Sequence, residues 1–365
     1  MLMERSISVL AGLCAILLIF FVLWDVFEVI ILPRRVSRRL RLTVLIYLIT
    51  WKPWSALARR MHNDGRREVF LSFYGPLSLI LLLVVWMVGL IVGYALLQWS
   101  LGSAVSGIGE ASGFPTDLYM SGTTFITLGL GDVIPRTGLA RLVTVIEAAT
   151  GFGLLAVVIG YLPVLYQAFS RREADITLLD ARAGSPPSAI EMLRRYAQDR
   201  DINALNTFLR EWERWGAELL ESHLSYPSLA YFRSQHDNQS WLAALTVILD
   251  VCALVLVGID DLPTHQARLT FAIARHAAVD LSQVLNLPPP RYETRLTRRY
   301  NLAKIRRLLK EAGIPMREGE AADEQLSKMR GMYESYVNTL SDRLLMPLPP
   351  WIPPEDSQDD WLSTA

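Results

Sequence analysis

The chain has 365 residues, 52% of them hydrophobic, with 36 Lys and Arg against 36 Asp and Glu and a formal net charge of zero. That balance gives no electrostatic case for a nucleic-acid partner, and two cysteines, Cys14 and Cys252, do not imply a disulfide framework. The long apolar runs all lie before residue 171, so the first half reads as membrane and the second as a separate body.

Residues 7 to 32 form the first apolar stretch, long enough to cross a hydrocarbon core of about 30 Å. The stretch is too long for a cleaved leader, lacks a small-residue cleavage site and is followed by PRRVSRRLR, so 1–32 is read as a retained span. Asp25 and Glu28 share a face near its inner end, where Arg34 and Arg35 would form an interfacial ion pair with them. The next segment, 33–68, is basic: 33–41 holds five arginines and 59–67 four, whereas 100–137 holds only Arg136. Loops rich in Lys and Arg stay cytoplasmic, which puts 33–68 and everything after Arg171 inside, and 100–137 and the N-terminus outside. Within the basic segment, LTVLIYLITWKPWSALA (42–58) has basic flanks and contains Lys52 and Pro53. It reads as an interfacial helix or shallow hairpin on the inner leaflet, with a fourth span as the alternative.

The stretch 69–99 is the second span, and it has no arginine ladder of the voltage-sensing kind. After it, SLGSAVSGIGEASGFP is a Gly/Ser-rich surface loop, and Pro115 with Thr116 starts a helix of about ten residues. That helix is roughly 15 Å long, half a bilayer, so the chain enters the membrane there and must return. The return is TTFITLGLGDVIP, residues 123 to 135. Irregular backbone at membrane depth is tolerated only where protein buries it or where it lines a watery path. Without a Cβ, Gly129 and Gly131 accept positive φ, and alternating them with ordinary residues turns successive carbonyls to one side. Four such segments around an axis would stack rings of oxygens that replace the water shell of a cation, with the Thr127 hydroxyl as the lowest ring and Asp132 at the outer mouth.

This segment resembles the pore helix and selectivity filter of the potassium channel family, whose pattern is Thr-Val/Ile-Gly-Tyr/Phe-Gly-Asp between an outer and an inner helix. The resemblance covers roughly residues 70 to 170. It implies an all-α pore domain over 69–170, with outer helix 69–99, pore helix and filter 115–132 and inner helix 138–170. Thr123 and Thr124 would end the pore helix, and Thr127, Leu128, Gly129, Leu130, Gly131 and Asp132 would form the filter. One filter segment per chain, with no internal repeat, implies a homotetramer conducting K+ as its permeating ion. The departures are Leu128 and Leu130. In the family the residue at Leu130 is usually tyrosine or phenylalanine, whose ring packs outward against the pore helices; leucine gives up a phenolic hydrogen bond and some packing area.

The third apolar stretch, 138–170, would be about 50 Å long as a helix and so outruns the bilayer. Gly151, Gly153, Gly160 and Pro163 are its candidate bending points, and the resemblance places Gly151 at the hinge glycine of the family's inner helix. Close helix packing is the competing use of Gly153 and Gly160. Glu147, one turn above Gly151, either faces the ion cavity or hydrogen-bonds behind the filter.

The second half, 171–345, reads as an α-helical cytoplasmic domain. After ARAGSPP, Ser188 and Glu191 have capping-box spacing, and helical periodicity recurs over 190–199, 202–223, 240–258, 263–286, 295–312 and 323–345. LAALTVILDVCALVLVG (242–258) is apolar enough for a span, but its length and its central Asp250 favour a helix buried in protein. The stretch from His223 to Trp241, with Tyr226, Tyr231, Phe232, Arg233, His236 and Asp237, reads as packing and capping rather than a small-ligand pocket. His223, His236, His265 and His276 lack metal-ligand spacing, and no strand precedes a Gly-x-Gly-x-x-Gly, so neither metal nor nucleotide cofactor is expected. RYETRLTRRYNLAKIRRLLK (291–310) is either a lipid-facing helix or a helix paired with acidic neighbours. The tail 346–365 is Pro-rich and acidic.

Together these features predict a non-enzymatic, multi-pass plasma-membrane protein. A tetrameric potassium channel, possessing a helical domain that gates it, comes first. A weakly selective monovalent cation channel is the second reading. A non-conducting membrane sensor with a ligand-binding helical half is the third. The partners expected are other copies of the chain and membrane lipid; no small-molecule regulator is specified by the residues.

Overall fold

The computed structural model describes residues 2–32, 41–102, 105–106, 113–198, 202–236, 238–259, 264–285, 287 and 302–352. Arg34, Arg35, most of the Gly/Ser-rich loop, Asp237, 291–301 and most of the tail lie outside them. The chain divides into two units: Met1–Ala56 with Pro76–Tyr166, and Leu57–Gly75 with Gln167–Ala365.

The first unit is built on three long apolar helices. The first, α1 (Leu2–Val26), ends in a wider turn over Phe27–Ile31. Next comes α2 (Leu42–Arg59), one helix with Pro53 inside it and no hairpin. A short α3 (Asp64–Ser72), which belongs to the second unit, leads into α4 (Tyr74–Ser100). The stretch from 69 to 99 is therefore not one helix: it breaks at Phe73, because Pro76 has no N–H to donate to the Ser72 carbonyl four residues back. Then come α5 (Phe114–Phe125) and α6 (Gly138–Ala183). Residues Val105–Ser106 and Ile134–Pro135 pair as a two-residue antiparallel ribbon.

Antiparallel packing of α1 and α4 is set by small residues. A Cβ on Gly93 would stand 2.7 Å from Ile19 Cγ1, and one on Gly89 would be 3.1 Å from Val22 Cγ2. Glycines here let the two helices approach at backbone distance, which is how apolar helices gain contact where lipid offers no hydrophobic drive. Val22, Val26, Ile46, Leu82, Trp86, Leu90 and Phe125 form the core of the unit. Asp25 is fully buried in this seam. Its carboxylate accepts from Thr43 Oγ1 of α2 at 2.6 Å and from Trp86 Nε1 of α4 at 2.9 Å. Glu28 accepts from Trp24 Nε1 at 2.7 Å and sits 3.4 Å from Arg41. The ion pair expected with Arg34 and Arg35 lies outside the described residues; within them Asp25 ties three helices together through Thr43 and Trp86.

The second unit is all helix: α7 (Ala189–Gln198), α8 (Ile202–Ser225), α9 (Trp241–Ala253), α10 (Thr264–Val284), α11 (Leu302–Glu311), α12 (Glu320–Gly331) and α13 (Glu334–Leu344). Every residue of α9 is buried. Of the 18 residues Trp241–Gly258, 94% are buried inside the protein, against 11%, 39% and 17% for the apolar 18-residue windows within Ser6–Ile31, Asp64–Ser100 and Gly138–Ala183. Its neighbours are α7, α10, α12 and α13. The run expected over 323–345 is two helices, split at Met332 and Tyr333. Tyr333 leaves helical geometry (φ −136°) and is fully buried, with its hydroxyl donating to Asp250 of α9. Arg330 stands 3.8 Å from the same carboxylate and over the Trp351 ring.

Ser188 caps α7 only in part: its hydroxyl lies 3.5 Å from the Glu191 amide and donates to the Trp351 carbonyl at 2.6 Å. Glu191 pairs with Arg194 and Arg195 rather than reaching back. On α11, Ile305 and Leu309 are buried and Arg306 pairs with Asp323, so that helix turns one face to the protein.

The chemically mixed stretch after His223 is used for packing. Arg172, near the end of α6, is buried and donates to the Leu229 carbonyl at 3.0 Å and the Phe232 carbonyl at 2.9 Å, with Glu173 at 2.9 Å. The His223 ring nitrogen Nε2 lies 3.3 Å from Arg172 Nη1. Phe232 also packs on Phe169 of α6 and against Gly75 at the start of α4, where a Cβ would stand 2.8 Å from its ring. Tyr231 stacks on Tyr74 at 5.2 Å. Arg233 pairs with Glu68 and donates to the Leu344 and Leu345 carbonyls. Within this unit, the short segment 229–232 thereby packs on Tyr74 and Gly75 and on Phe169 and Arg172.

Candidate ion-conducting filter

The short helix α5 begins where extended Gly113 and Pro115 at its first turn leave no intrahelical donor wasted. It ends at Phe125 because the chain then turns back on its last carbonyls. The Thr127 amide donates to the Thr124 carbonyl at 3.0 Å, and the Leu128 amide to the Thr123 carbonyl at 2.8 Å. Gly129 donates to the same Thr123 oxygen at 3.3 Å. Thr123 and Thr124 are therefore the anchor of the return strand.

Beyond them the backbone alternates. Thr127, Gly129 and Gly131 have φ of 60°, 56° and 77°, while Leu128 and Leu130 between them are not left-handed. Left-handed backbone costs glycine little, but a β-branched threonine adopts it only where the surroundings force it. Alternation of this kind turns successive carbonyls toward one side, the arrangement that lines an ion path with oxygens. Residues 126 to 132 are exposed in the single chain, with Leu128 at 56% and Leu130 at 58%. At the outer end, Asp132 accepts from Tyr119 of α5 at 2.9 Å.

Behind the return strand, α5 is held by both long helices. A Cβ on Gly151 of α6 would stand 2.1 Å from the Phe125 carbonyl oxygen, so only glycine fits where the two backbones meet. Gly153 and Gly160 have nothing within 4 Å of such a Cβ, and α6 runs unbroken through both and through Pro163. Glu147 is fully buried and bonded to Ser121 of α5, so it lies behind the strand and not in open space. Further up, Gln98 of α4 donates to the Ala140 carbonyl and Thr144 hydroxyl of α6, and Tyr94 meets Thr150 at 2.8 Å.

Residues 81–167 match the family model described as an ion channel. Over that segment the chain is similar to ion channels. Its match runs from α4 through α5 and the alternating strand to α6, the region the sequence motif marks. The membrane protein YdjJ of Bacillus subtilis (strain 168), itself named as uncharacterized, is 26% identical over 202 residues. That likeness covers 54% of this chain and 58% of YdjJ. No solved structure matches the chain.

Two residues of the matched segment carry no sequence signal of their own. Tyr119 and Ser121 carry no motif, but α5 buries Asp117, Met120, Ser121 and Phe125 on one face. Two polar groups spaced four apart on the buried face of a membrane helix are the signal that would have found Ser121.

Proposed function

We propose that this chain is a potassium channel subunit, four of which surround a filter lined by the carbonyls of Thr127 to Gly131. The alternation of left-handed backbone at Thr127, Gly129 and Gly131 carries the reading, because a turn between spans needs no such regular alternation and a cation path does. K+ is the permeating ion in this reading, and neither cofactor nor covalent chemistry takes part. Asp132, held by Tyr119, marks the outer mouth. Gly151 is the hinge candidate, and Gly153, Gly160 and Pro163 offer further compliance along α6.

The C-terminal half lies in the cytoplasm in this account and gates the pore. The grip of segment 229–232 on Arg172 and Phe169 of α6, and on Gly75 of α4, supplies the handle. A rearrangement of the helices around α9 reaches the pore through those residues.

Leu130 favours a second reading. Its side chain is 58% exposed within the subunit and has no hydroxyl to fix the strand to a neighbouring helix, so a more deformable filter passing sodium as well as potassium is the alternative. Flux from liposomes under opposed potassium and sodium gradients separates the two. Potassium flux well above sodium flux supports the channel as proposed, equal flux establishes the weakly selective one, and none from wild type overturns both. Gly129→Asp abolishes flux in either case, because a side chain at φ 56° is strained and the backbone that aims the carbonyls would have to change.

A further inference from the structure

Ser121 Oγ has one proton and two oxygens that ask for it. It lies 2.8 Å from the Ile91 carbonyl of α4, and it is also bonded to Glu147 Oε1 of α6. A carbonyl can only accept; a hydroxyl donates once and accepts through its lone pairs. If Ser121 donates to Ile91, its bond to Glu147 requires a proton on the carboxyl oxygen. If Glu147 were ionised, Ser121 would turn its proton to the carboxylate and leave the Ile91 contact without a hydrogen.

The surroundings decide between these. Glu147 is fully buried and its second oxygen has no partner. Among the described residues no Lys, Arg or His pairs with it. The ionisable groups on α4 and α5 are Tyr74 at the first residue of α4, Tyr94, which spends its hydroxyl on Thr150, Asp117, buried one turn before Ser121, and Tyr119, which donates to Asp132. None supplies positive charge, and an unpaired carboxylate is far more costly to bury than a neutral acid.

We propose that Glu147 is held as the neutral acid and is a positioning residue for the filter: Glu147 donates to Ser121, Ser121 donates to the Ile91 carbonyl, and this proton chain fixes α5 between α4 and α6. Losing the proton breaks the chain at its middle and frees the helix whose last turn anchors Leu128 and Gly129. Conduction therefore depends on a proton that no ion pair holds, and alkaline conditions deform the filter. The inference rests on the channel reading for its effect on flux, but not for the proton itself.

Two measurements on the full-length protein test it. Infrared difference spectra at neutral pH should show a protonated carboxyl band that is absent from Glu147→Gln; no such band in wild type overturns the proposal. Potassium flux or selectivity of wild type should fall on raising the pH from about 7 to about 10, by up to tenfold per pH unit beyond the transition, while Glu147→Gln, a neutral side chain that can donate to Ser121, stays within about twofold. Identical profiles for the two proteins overturn it. A wild type with the carboxyl band but no flux at any pH keeps the proton chain and overturns the channel reading. Ser121→Ala should remove the pH dependence as well, at lower baseline flux.

Discussion

Helices α6 and α9 are both apolar enough to cross a membrane, yet the protein covers 17% of one apolar stretch and 94% of the other. Within its apolar stretch each also buries one carboxylate, Glu147 in α6 and Asp250 in α9, and the two are satisfied in opposite ways. Asp250 of α9 has the Tyr333 hydroxyl and the Arg330 guanidinium, itself stacked on Trp351. Glu147 of α6 has one serine. Apolarity thus reports only that a helix must leave water. The partners of its polar exception tell which environment it enters: a helix enclosed by protein can recruit a cation from a neighbour, whereas one with an open apolar face makes do with small neutral donors.

Breaking the two carboxylates separately should expose that difference. Asp250→Leu takes from the buried Arg330 guanidinium one of its two carboxylate neighbours, leaving Glu334 at 3.5 Å, and should cost about 3–5 kcal/mol in a denaturant titration of the detergent-solubilised protein. Glu147→Leu takes one hydrogen bond from Ser121, which keeps its bond to the Ile91 carbonyl, and should cost about 1–2 kcal/mol. Equal losses would mean that Glu147 has a charged partner after all. The double variant Asp250→Leu with Arg330→Met sharpens the test, because removing both charges together should recover much of the single-variant loss.

The same contrast explains what the residues disclosed in advance. The alternating backbone was legible because it leaves a mark in the chain itself: glycines one residue apart with a threonine before them, the positions that take positive φ. Helix identity in both halves was legible from periodicity, and Asp250 at the centre of 242–258 already argued for a protein-buried helix. What stayed hidden depended on residues distant in sequence. Asp25 meets Thr43 and Trp86 because three helices converge, and the break of 323–345 at Tyr333 answers a carboxylate 83 residues away. The reason for Gly151 is the Phe125 carbonyl, which no local pattern reveals.

Glycines along α6 allow a smaller comparison within one helix. Gly151→Ala drives a methyl into the Phe125 carbonyl and should destabilise by about 1–3 kcal/mol, since backbone cannot step aside as a flexible side chain does. Gly153→Ala meets open space in the subunit and should be neutral or stabilising by up to about 1 kcal/mol through helix propensity alone. A gain at Gly151 in the same titration would remove the close contact from the account and leave bending as that glycine's only use.

At its far end α6 reverses the rule set by Glu147, for there it buries a cation, Arg172, beside a histidine. His223 Nδ1 bonds the Leu219 carbonyl at 2.8 Å and so carries the ring's hydrogen, which leaves Nε2 as a lone pair facing Arg172. Burial first, and the adjacent guanidinium second, push the imidazole down to about 3. The folded state therefore refuses a proton that the unfolded chain takes up near its ordinary value of about 6.5, so this contribution is complete above that pH and is lost progressively as pH falls toward 3. The slope should approach but not exceed about 1.4 kcal/mol per pH unit, and between pH 6.5 and 5.5 the loss should be under about 1 kcal/mol. His223→Gln, with an amide to bond the same carbonyl and no proton to gain, should flatten that part of the acid profile relative to wild type. Parallel profiles would mean that His223 opens to water before it titrates, and the grip of segment 229–232 on α6 would then be looser than its hydrogen bonds imply.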